Sequence, residues 1–248
     1  MFDGFLYAAI PYLAVAIAIV GGMVRYSRDQ FSYSSQSSQF LESRTLFWGS
    51  LTFHYGLLLV LGGHVVGLIF WDGWERVLSS PTRLYSFEIS GLALTILALG
   101  GLLVLLGRRI FNARVRAVTT VMDWVLLSFL LAQMTLGLWV ALEFRWGSSW
   151  YQYSVVPWLH SLFKLNPQFD SVAVLPLVVK VHIVTGFGLV ALFPFTRLVH
   201  IVTVPLTYLW RPYQVVIWNR RRFGAALGAP ETRASWRERM PWSATAQR

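Results

Sequence analysis

The hydrophobic positions of this chain come in five long blocks instead of narrow stripes at helical or strand spacing. Blocks of this length, apolar on every side, are typical of helices that cross a membrane. The pattern therefore predicts an all-α, polytopic membrane bundle of five transmembrane helices. Their expected spans are residues 5–24, 46–71, 89–107, 117–142 and 172–193, and the last span can continue to residue 201.

Composition supports a membrane protein and restricts its cofactors. The chain has 248 residues, 56% of them hydrophobic and 13% charged, and its mean hydropathy is +0.55. This length suits a membrane domain over residues 1–216 followed by a basic cytoplasmic tail over residues 217–248. The absence of cysteine excludes thiolate zinc sites, cysteine-ligated iron–sulfur clusters and covalent c-type haem. A redox cofactor must therefore use histidine, methionine or carboxylate ligands.

The basic residues indicate orientation and not nucleic-acid binding. Of the 21 basic residues, 19 are arginines, and most lie beside the apolar blocks. Segments 25–44 and 108–116, together with the chain from Arg197 onward, hold 16 of them, whereas the alternate connections hold five. By the positive-inside rule the N-terminus lies outside and the C-terminus in the cytoplasm. We therefore expect a multi-pass protein of the cell inner (cytoplasmic) membrane, in contact with membrane lipid and not with nucleic acid.

Four of the five histidines lie in two of the predicted spans. His54 and His64 are in span two, and His182 and His200 are in or just after span five. Because the two spans run in opposite directions, the depth-matched pairs are His54 with His200 and His64 with His182. Ionisable side chains inside a membrane face the bundle interior and are functional candidates. Two such pairs can hold the irons of two b haems by bis-imidazole ligation.

The histidine spacing leaves one geometric question open. If span five is one straight helix to its end, His182 and His200 share one face, about five turns and roughly 27 Å apart. His54 and His64 are separated by roughly 15 Å of helical rise. Either strong helix tilt or a kink at Pro194 can reconcile the two spacings. The glycines near the histidines either admit a porphyrin face or let helices pack closely; they are Gly56, Gly62, Gly63, Gly67, Gly186 and Gly188.

Other polar residues have weaker assignments. The aromatic segment 144–170 is predicted to lie on the membrane surface, with His160 as a surface histidine in preference to a quinol-handling residue. Asp123 is expected to form hydrogen bonds at a helix end. Arg197, one turn before His200, and Arg116 are candidates for contact with a haem propionate or with lipid headgroups.

Several short motifs, in loops as well as spans, resemble one known family. They include Leu192-Phe193-Pro194-Phe195-Thr196-Arg197-Leu198-Val199-His200-Ile201, the loop Arg114-Val115-Arg116-Ala117 with Thr119-Thr120 and Asp123, Arg25-Tyr26, Phe53-His54 and Gly63-His64. In this order they resemble the gamma subunit of respiratory nitrate reductases. The likeness runs from about residue 10 to residue 216.

The resemblance implies a five-helix dihaem cytochrome b. It implies that His64 and His182 hold the distal haem and that His54 and His200 hold the proximal haem. Quinol, either menaquinol or ubiquinol, is oxidised near the outer haem at a site that includes Gly63. The family places a lysine in the loop after span two, where this chain has Arg83. The resemblance further implies that electrons pass to an iron–sulfur beta subunit and a molybdenum-cofactor alpha subunit in the cytoplasm, where nitrate is reduced. We therefore expect the chain to be the quinol-oxidising subunit of an enzyme complex.

Two alternative functions stay open at this point. In the first, the same architecture carries electrons in the reverse direction in a nitrite-oxidising complex, or delivers them to a sulfur-compound reductase. A haem-free transporter could instead use the histidines as a proton relay, but the sequence contains neither an inverted repeat nor a pair of broken helices, the features typical of such transporters.

Overall fold

The computed structural model describes residues 4–33 and 38–202, which are mainly helical, with no β-strand among them. Within these residues, five helices are long and apolar enough to cross a membrane, which confirms the predicted fold class. They are α1 (Phe5–Arg28), α2 (Arg44–Ile69), α4 (Pro81–Phe111), α6 (Val121–Glu143) and α10 (Leu177–Leu192). Shorter helices connect them: α3 (Trp71–Leu78), α5 (Ala113–Ala117), α7 (Gly147–Trp150), α8 (Val156–Phe163) and α9 (Asp170–Ala173). The predicted boundary between membrane domain and tail, at residues 216 and 217, lies outside the described residues.

Small residues bring α2 and α4 into close contact. A Cβ on Gly56 would lie 2.6 Å from the carbonyl oxygen of Leu94 and 2.8 Å from the backbone nitrogen of Ala98. A Cβ on Gly101 would lie 2.5 Å from the backbone nitrogen of Phe53. Such near-contact of two backbones is how membrane helices pack where both carry small residues. For Gly56, therefore, the structure favours helix packing over a role beside a porphyrin.

One end of the bundle, which we call the basic end, is held by arginine side chains. Buried Arg108, at the end of α4, donates to the carboxylate and carbonyl of Glu42 and to Ser38. Arg25, near the end of α1, donates to the carbonyl oxygens of Pro194 at 2.7 Å and Thr196 at 3.2 Å. These bonds cross-link segments distant in sequence, so the arginines fix the geometry of this end.

The opposite end, which we call the aromatic end, is more buried than the sequence suggests. Trp158 of α8 is 1% exposed, and its indole N–H donates to the carbonyl oxygen of Tyr7 at 2.9 Å. Val155, Leu162 and Val172 complete this cluster. The prediction that segment 144–170 lies on the membrane surface is therefore wrong for its central part. An amphipathic pattern has the same form whether its apolar face meets lipid or protein.

The fifth span is broken where the sequence allowed a continuous helix. Helix α10 ends at Leu192, a 3₁₀ turn covers Phe193–Phe195, and Thr196 is extended before a second 3₁₀ turn at Arg197–Ile201. Pro194 cannot donate a hydrogen bond to the preceding turn, and its ring disfavours continuation of the helix. The picture of His182 and His200 on one face of a single helix is therefore wrong, and of the two features that could reconcile the histidine spacings the structure shows a break at Pro194.

The third span begins earlier than its apolar block. Helix α4 has 31 residues and starts at Pro81, in place of the predicted start at residue 89. Its length is about 46 Å, longer than the roughly 30 Å hydrocarbon core. Hydropathy marks where a helix meets lipid, whereas proline at the first helical position marks where this helix begins.

Candidate functional site

His54 and His200 meet at the basic end of the bundle. Their ring centroids are 6.1 Å apart, and the ring planes are inclined at 77°. Two imidazoles bound to opposite sides of one metal ion at about 2 Å each have centroids roughly 6 Å apart. The separation of the two rings therefore fits a shared metal between them.

The Nδ1 atoms of this pair are both bonded to backbone carbonyl oxygens. Nδ1 of His54 lies 2.8 Å from the carbonyl oxygen of Ser50, and Nδ1 of His200 lies 2.6 Å from that of Arg197. A carbonyl oxygen can only accept, so each Nδ1 carries the proton and donates it. The lone pair of each neutral ring is then on Nε2, which is the arrangement of histidine ligands whose second nitrogen is held by a carbonyl group.

His64 has the same arrangement nearer the aromatic end. Its Nδ1 donates to the carbonyl oxygen of Val60 at 2.9 Å. The ring of Tyr151 packs edge-on against its imidazole at 5.3 Å, and the Tyr151 hydroxyl donates to the His64 carbonyl oxygen at 3.0 Å. Burial raises the pKa of Tyr151 to about 12. The phenol therefore stays protonated near neutral pH and adds no negative charge beside His64.

His182 is held differently from the other three candidate ligands. Its Nε2 lies 3.4 Å from the amide nitrogen of Gln133, whose own oxygen accepts a hydrogen bond from Thr185 at 2.5 Å. Its Nδ1 is buried and has no hydrogen-bond partner among the described residues. A Cβ on Gly137 would lie 3.1 Å from the imidazole. His182 is thus packed against α6, and its ring nitrogens are incompletely satisfied by the described residues.

His160, the fifth histidine, lies apart from these pairs. Its Nε2 bonds to the carbonyl oxygen of Leu68 at 2.9 Å, and its ring lies 5.9 Å from that of Trp71. This contact ties α8 to the end of α2. The imidazole is half-buried, so His160 is a structural cross-link and not the surface histidine that the sequence favoured.

The donor set fits haem better than a bare metal ion. Within residues 4–33 and 38–202, no group of three or more histidine, aspartate or glutamate side chains could hold a metal. A bare ion needs about four protein ligands, whereas a porphyrin leaves only the two axial positions to the protein. Two neighbouring imidazoles with Nε2 lone pairs would supply those two ligands if a haem were bound.

Two other predicted site residues lie near the aromatic end. Gly63 directly precedes His64, and a Cβ there would lie 3.2 Å from the ring of Phe87. Arg83 donates to the carbonyl oxygens of Val77 at 2.7 Å and Arg76 at 3.1 Å. The Arg83 guanidinium thus covers the carbonyl groups at the end of α3, and a contact of Gly63 or Arg83 with quinol stays a prediction.

The two arginines predicted to contact a haem propionate have protein partners at the basic end. Arg197 makes two hydrogen bonds to the carboxylate of Asp123, at 2.5 and 2.9 Å. Arg116 donates to the carbonyl oxygen of Ile110 at 3.2 Å. The expected hydrogen bonds of Asp123 at a helix end are confirmed, because Asp123 and Thr120 form a capping box at the start of α6. Propionate contact for Arg116 and Arg197 stays a prediction.

Sequence reasoning missed several side chains around the histidines. Ser50 lies one turn before His54, and its hydroxyl is 3.1 Å from Nδ1. Gln133 and Gly137, one turn apart on α6, both face His182. The available signal was a polar residue and a glycine spaced by four inside an otherwise apolar helix. Tyr151 carried no such signal, because its contact with His64 depends on how the aromatic end folds.

Comparison with known proteins agrees with the motifs found in the sequence. The family model described as nitrate reductase gamma subunit matches residues 3–219. The nitrate reductase gamma chain of Bacillus subtilis (strain 168) is 36% identical over 220 residues, which cover 87% of this chain and 97% of that protein. The respiratory nitrate reductase 1 gamma chain of Escherichia coli (strain K12) is 34% identical over 224 residues, covering 86% and 96%.

A third relative is much longer than this chain. The nitrate reductase-like protein NarX of Mycobacterium tuberculosis (strain ATCC 25618 / H37Rv) is 35% identical over 226 residues, which cover 89% of this chain but 34% of that protein. The match of the family model across most of the chain, together with two relatives covered almost end to end, leads to one conclusion. This chain belongs to the nitrate reductase gamma subunit family.

Proposed function

We propose that this chain is the dihaem cytochrome b subunit of a membrane-bound nitrate reductase, which oxidises quinol and passes the electrons to partner subunits. The observation that carries the proposal is the neighbouring pair of His54 and His200, whose ring centroids are 6.1 Å apart and whose Nδ1 atoms are both bonded to carbonyl groups. The names of the relatives support nitrate as the terminal acceptor.

His54 and His200 would hold the proximal haem. Each bound haem would accept and pass on one electron at a time through its iron. The Nδ1–H bonds to Ser50 and Arg197 fix the orientation and the tautomer of the two rings, so little reorganisation is required when the metal binds. The same bonds make the imidazoles more basic ligands, which favours the oxidised iron.

His64 and His182 would hold the distal haem nearer the aromatic end. His64 supports this role with its Nδ1–H bond to Val60, which leaves Nε2 available. His182 supports it with a buried ring whose nitrogens the described protein groups satisfy only in part. Ligation by His182 requires the amide nitrogen of Gln133 to move from its position beside Nε2. The hydroxyl of Thr185, which donates to the amide oxygen of Gln133, can hold the side chain after that movement.

Quinol would bind beside the distal haem, near Gly63 and Arg83. Oxidation of one quinol yields quinone, two electrons and two protons. In the orientation proposed from the basic residues, the protons leave on the outer side and the electrons move toward the cytoplasm. Moving each electron across the membrane toward a negative interior costs roughly 2.3 kcal/mol per 100 mV. The redox drop from quinol to nitrate must exceed that cost.

The partners would dock at the basic end, on the cytoplasmic side of the inner membrane. They are an iron–sulfur beta subunit, which receives electrons from the proximal haem, and a molybdenum-cofactor alpha subunit, which reduces nitrate. Arg116 and Arg197 lie at this end and remain candidates for the propionates of the proximal haem.

Stopped-flow spectroscopy of the purified complex tests the proposal. Added menaquinol or ubiquinol should reduce b-type haem, and nitrate should reoxidise it. His64→Ala should abolish reduction by quinol and leave the proximal haem bound. His160→Gln is the matched control, because His160 lies outside both pairs, and it should retain both reactions. A purified protein without b-type absorption bands, or haem that quinol does not reduce, would exclude this function.

A further inference from the structure

The segment that carries His200 needs a specific support because it lies beyond the end of α10. Thr196 is extended, with φ −121° and ψ −176°, and only the short 3₁₀ turn Arg197–Ile201 follows it. Regular helical hydrogen bonds therefore do not connect His200 rigidly to the span that carries His182. Side-chain contacts from other helices must fix its position.

Asp123, on α6, contacts Arg197, which precedes His200 in the same 3₁₀ turn. Its side chain is buried and accepts two hydrogen bonds from the Arg197 guanidinium, on Oδ1 at 2.5 Å and on Oδ2 at 2.9 Å. Bidentate arginine–carboxylate pairs fix both distance and orientation. The carbonyl oxygen of the same Arg197 accepts the Nδ1–H of His200 at 2.6 Å. Asp123 thus holds the residue whose backbone orients the imidazole.

Asp123 is also the counter-charge of two cations. Nη1 of Arg109, at the end of α4, lies 3.5 Å from Oδ2 of Asp123 and donates to the hydroxyl of Thr119 at 3.1 Å. One buried carboxylate therefore connects guanidinium groups from two different segments beside the His54–His200 pair. Removing its charge would leave two arginines close together without their shared counter-ion, which is costly in a partly buried site.

We propose that Asp123 is a positioning residue for His200 and, through Arg197, lowers the reduction potential of the proximal haem. This inference rests on the proposed function, since it requires a haem between His54 and His200. A negative charge nearby favours the oxidised iron, which carries one positive charge more than the reduced iron. A firm Nδ1–H bond to the Arg197 carbonyl acts in the same direction by making His200 a more basic ligand.

If Asp123 acted only as a helix cap, its replacement would have different effects. Asp123 and Thr120 form a reciprocal capping box, in which the Thr120 N–H donates to Oδ2 at 3.0 Å and the Asp123 N–H donates to the Thr120 hydroxyl at 3.2 Å. Loss of a cap weakens the first turn of α6 but should not shift the potential of one haem selectively. Thr120→Val is therefore the matched control, because it removes the threonine half of the cap and keeps the Asp123–Arg197 pair.

The test is a redox titration of the purified complex, followed by the optical spectrum of each haem. The proximal component is identified as the one lost in His54→Ala. In Asp123→Asn, the oxidised-to-reduced ratio of that component at the wild-type midpoint should fall about tenfold, a positive shift of about 59 mV for one electron. The distal component should not shift. Arg197→Lys, which keeps the charge but not the two-point contact, should shift the proximal component in the same direction by less.

Three results would overturn the proposal. The first is an oxidised-to-reduced ratio of the proximal haem in Asp123→Asn within twofold of wild type. The others are an equal shift of its midpoint potential in Thr120→Val, or an equal shift of the midpoint potentials of both haems in Asp123→Asn. If Asp123→Asn does not assemble, Arg197→Lys decides by the direction and selectivity of its shift. A wild-type protein without haem would instead contradict the proposed function, so the two failures are distinguishable.

Discussion

The centroid of the His54 imidazole lies 6.1 Å from that of His200, although one residue lies in the first half of the continuous helix α2 and the other follows the break at the end of the fifth span. The separation depends on that break. Arg25 on α1 donates to the carbonyl oxygens of Pro194 and Thr196 beside the break, and Asp123 on α6 accepts from the guanidinium of Arg197. The pair is therefore a product of four segments of the bundle and not of two helices alone.

The close packing of α2 and α4 can be tested by substituting two adjacent glycines of α4, one packed against α2 and one not. A Cβ on Gly101 would lie 2.5 Å from the backbone nitrogen of Phe53, so Gly101→Ala must separate the helices. We expect it to destabilise the protein by about 1–3 kcal/mol, the usual cost of overpacking. Gly100→Ala is the control, because the described residues leave open space around its Cβ. It should be neutral or stabilise the helix by up to about 1 kcal/mol. Thermal unfolding in detergent measures both variants, and equal midpoints would contradict the packing.

Glu42 makes a prediction about pH. The backbone N–H of Thr45 and the guanidinium of Arg108 lower the pKa of Glu42 from 4.5 to about 2. A lowered folded-state pKa adds stability that is present above pH 4.5 and is lost as the pH falls toward 2. The thermal midpoint of wild type should therefore exceed that of Glu42→Gln by a constant amount above pH 5, and the excess should shrink below pH 4.5. A difference that persists undiminished at pH 2 would show that the Glu42 charge is not its source.

The five histidines should divide into ligands and one structural residue. His160→Gln removes an imidazole whose Nε2 bonds to the Leu68 carbonyl oxygen. It should cost about 0.5–1.5 kcal/mol of stability, the value of one hydrogen bond, and leave the ratio of haem to protein unchanged. His64→Gln should halve that ratio. Haem extraction and pyridine haemochrome spectra measure the ratio, and haem loss in the His160 variant would refute this division.

Arg83 tests whether geometry matters beyond charge at the proposed quinol site. Its guanidinium spans two carbonyl groups at the end of α3, and the compact ammonium of lysine cannot reproduce that fork. We expect Arg83→Lys to raise the KM for quinol about two- to tenfold, equivalent to roughly one hydrogen bond, with kcat and both haems retained. Arg83→Ala should raise KM further. A wild-type KM in Arg83→Ala would remove this residue from the quinol site.

The sequence contains the information for the number of spans but not for the contacts that hold them. Apolar blocks and arginine distribution are local properties, and they predict five helices and the depths of the histidines. The break at Thr196 is different, because Pro194 marks it while Arg25 and Asp123, both distant in sequence, determine where His200 goes. The burial of Trp158 and the packing of Gly56 likewise depend on neighbours from other helices. An isolated pattern cannot distinguish those neighbours from lipid or porphyrin.

The proposed function depends above all on which imidazoles share an iron, and the loss of resolved haem components in single variants measures this directly. Redox titration of the purified complex should resolve two b-type components. His54→Ala and His200→Ala should each remove the same component, and His64→Ala and His182→Ala should each remove the other. Removal of different components by the His54 and His200 variants would contradict the pairing on which the account rests.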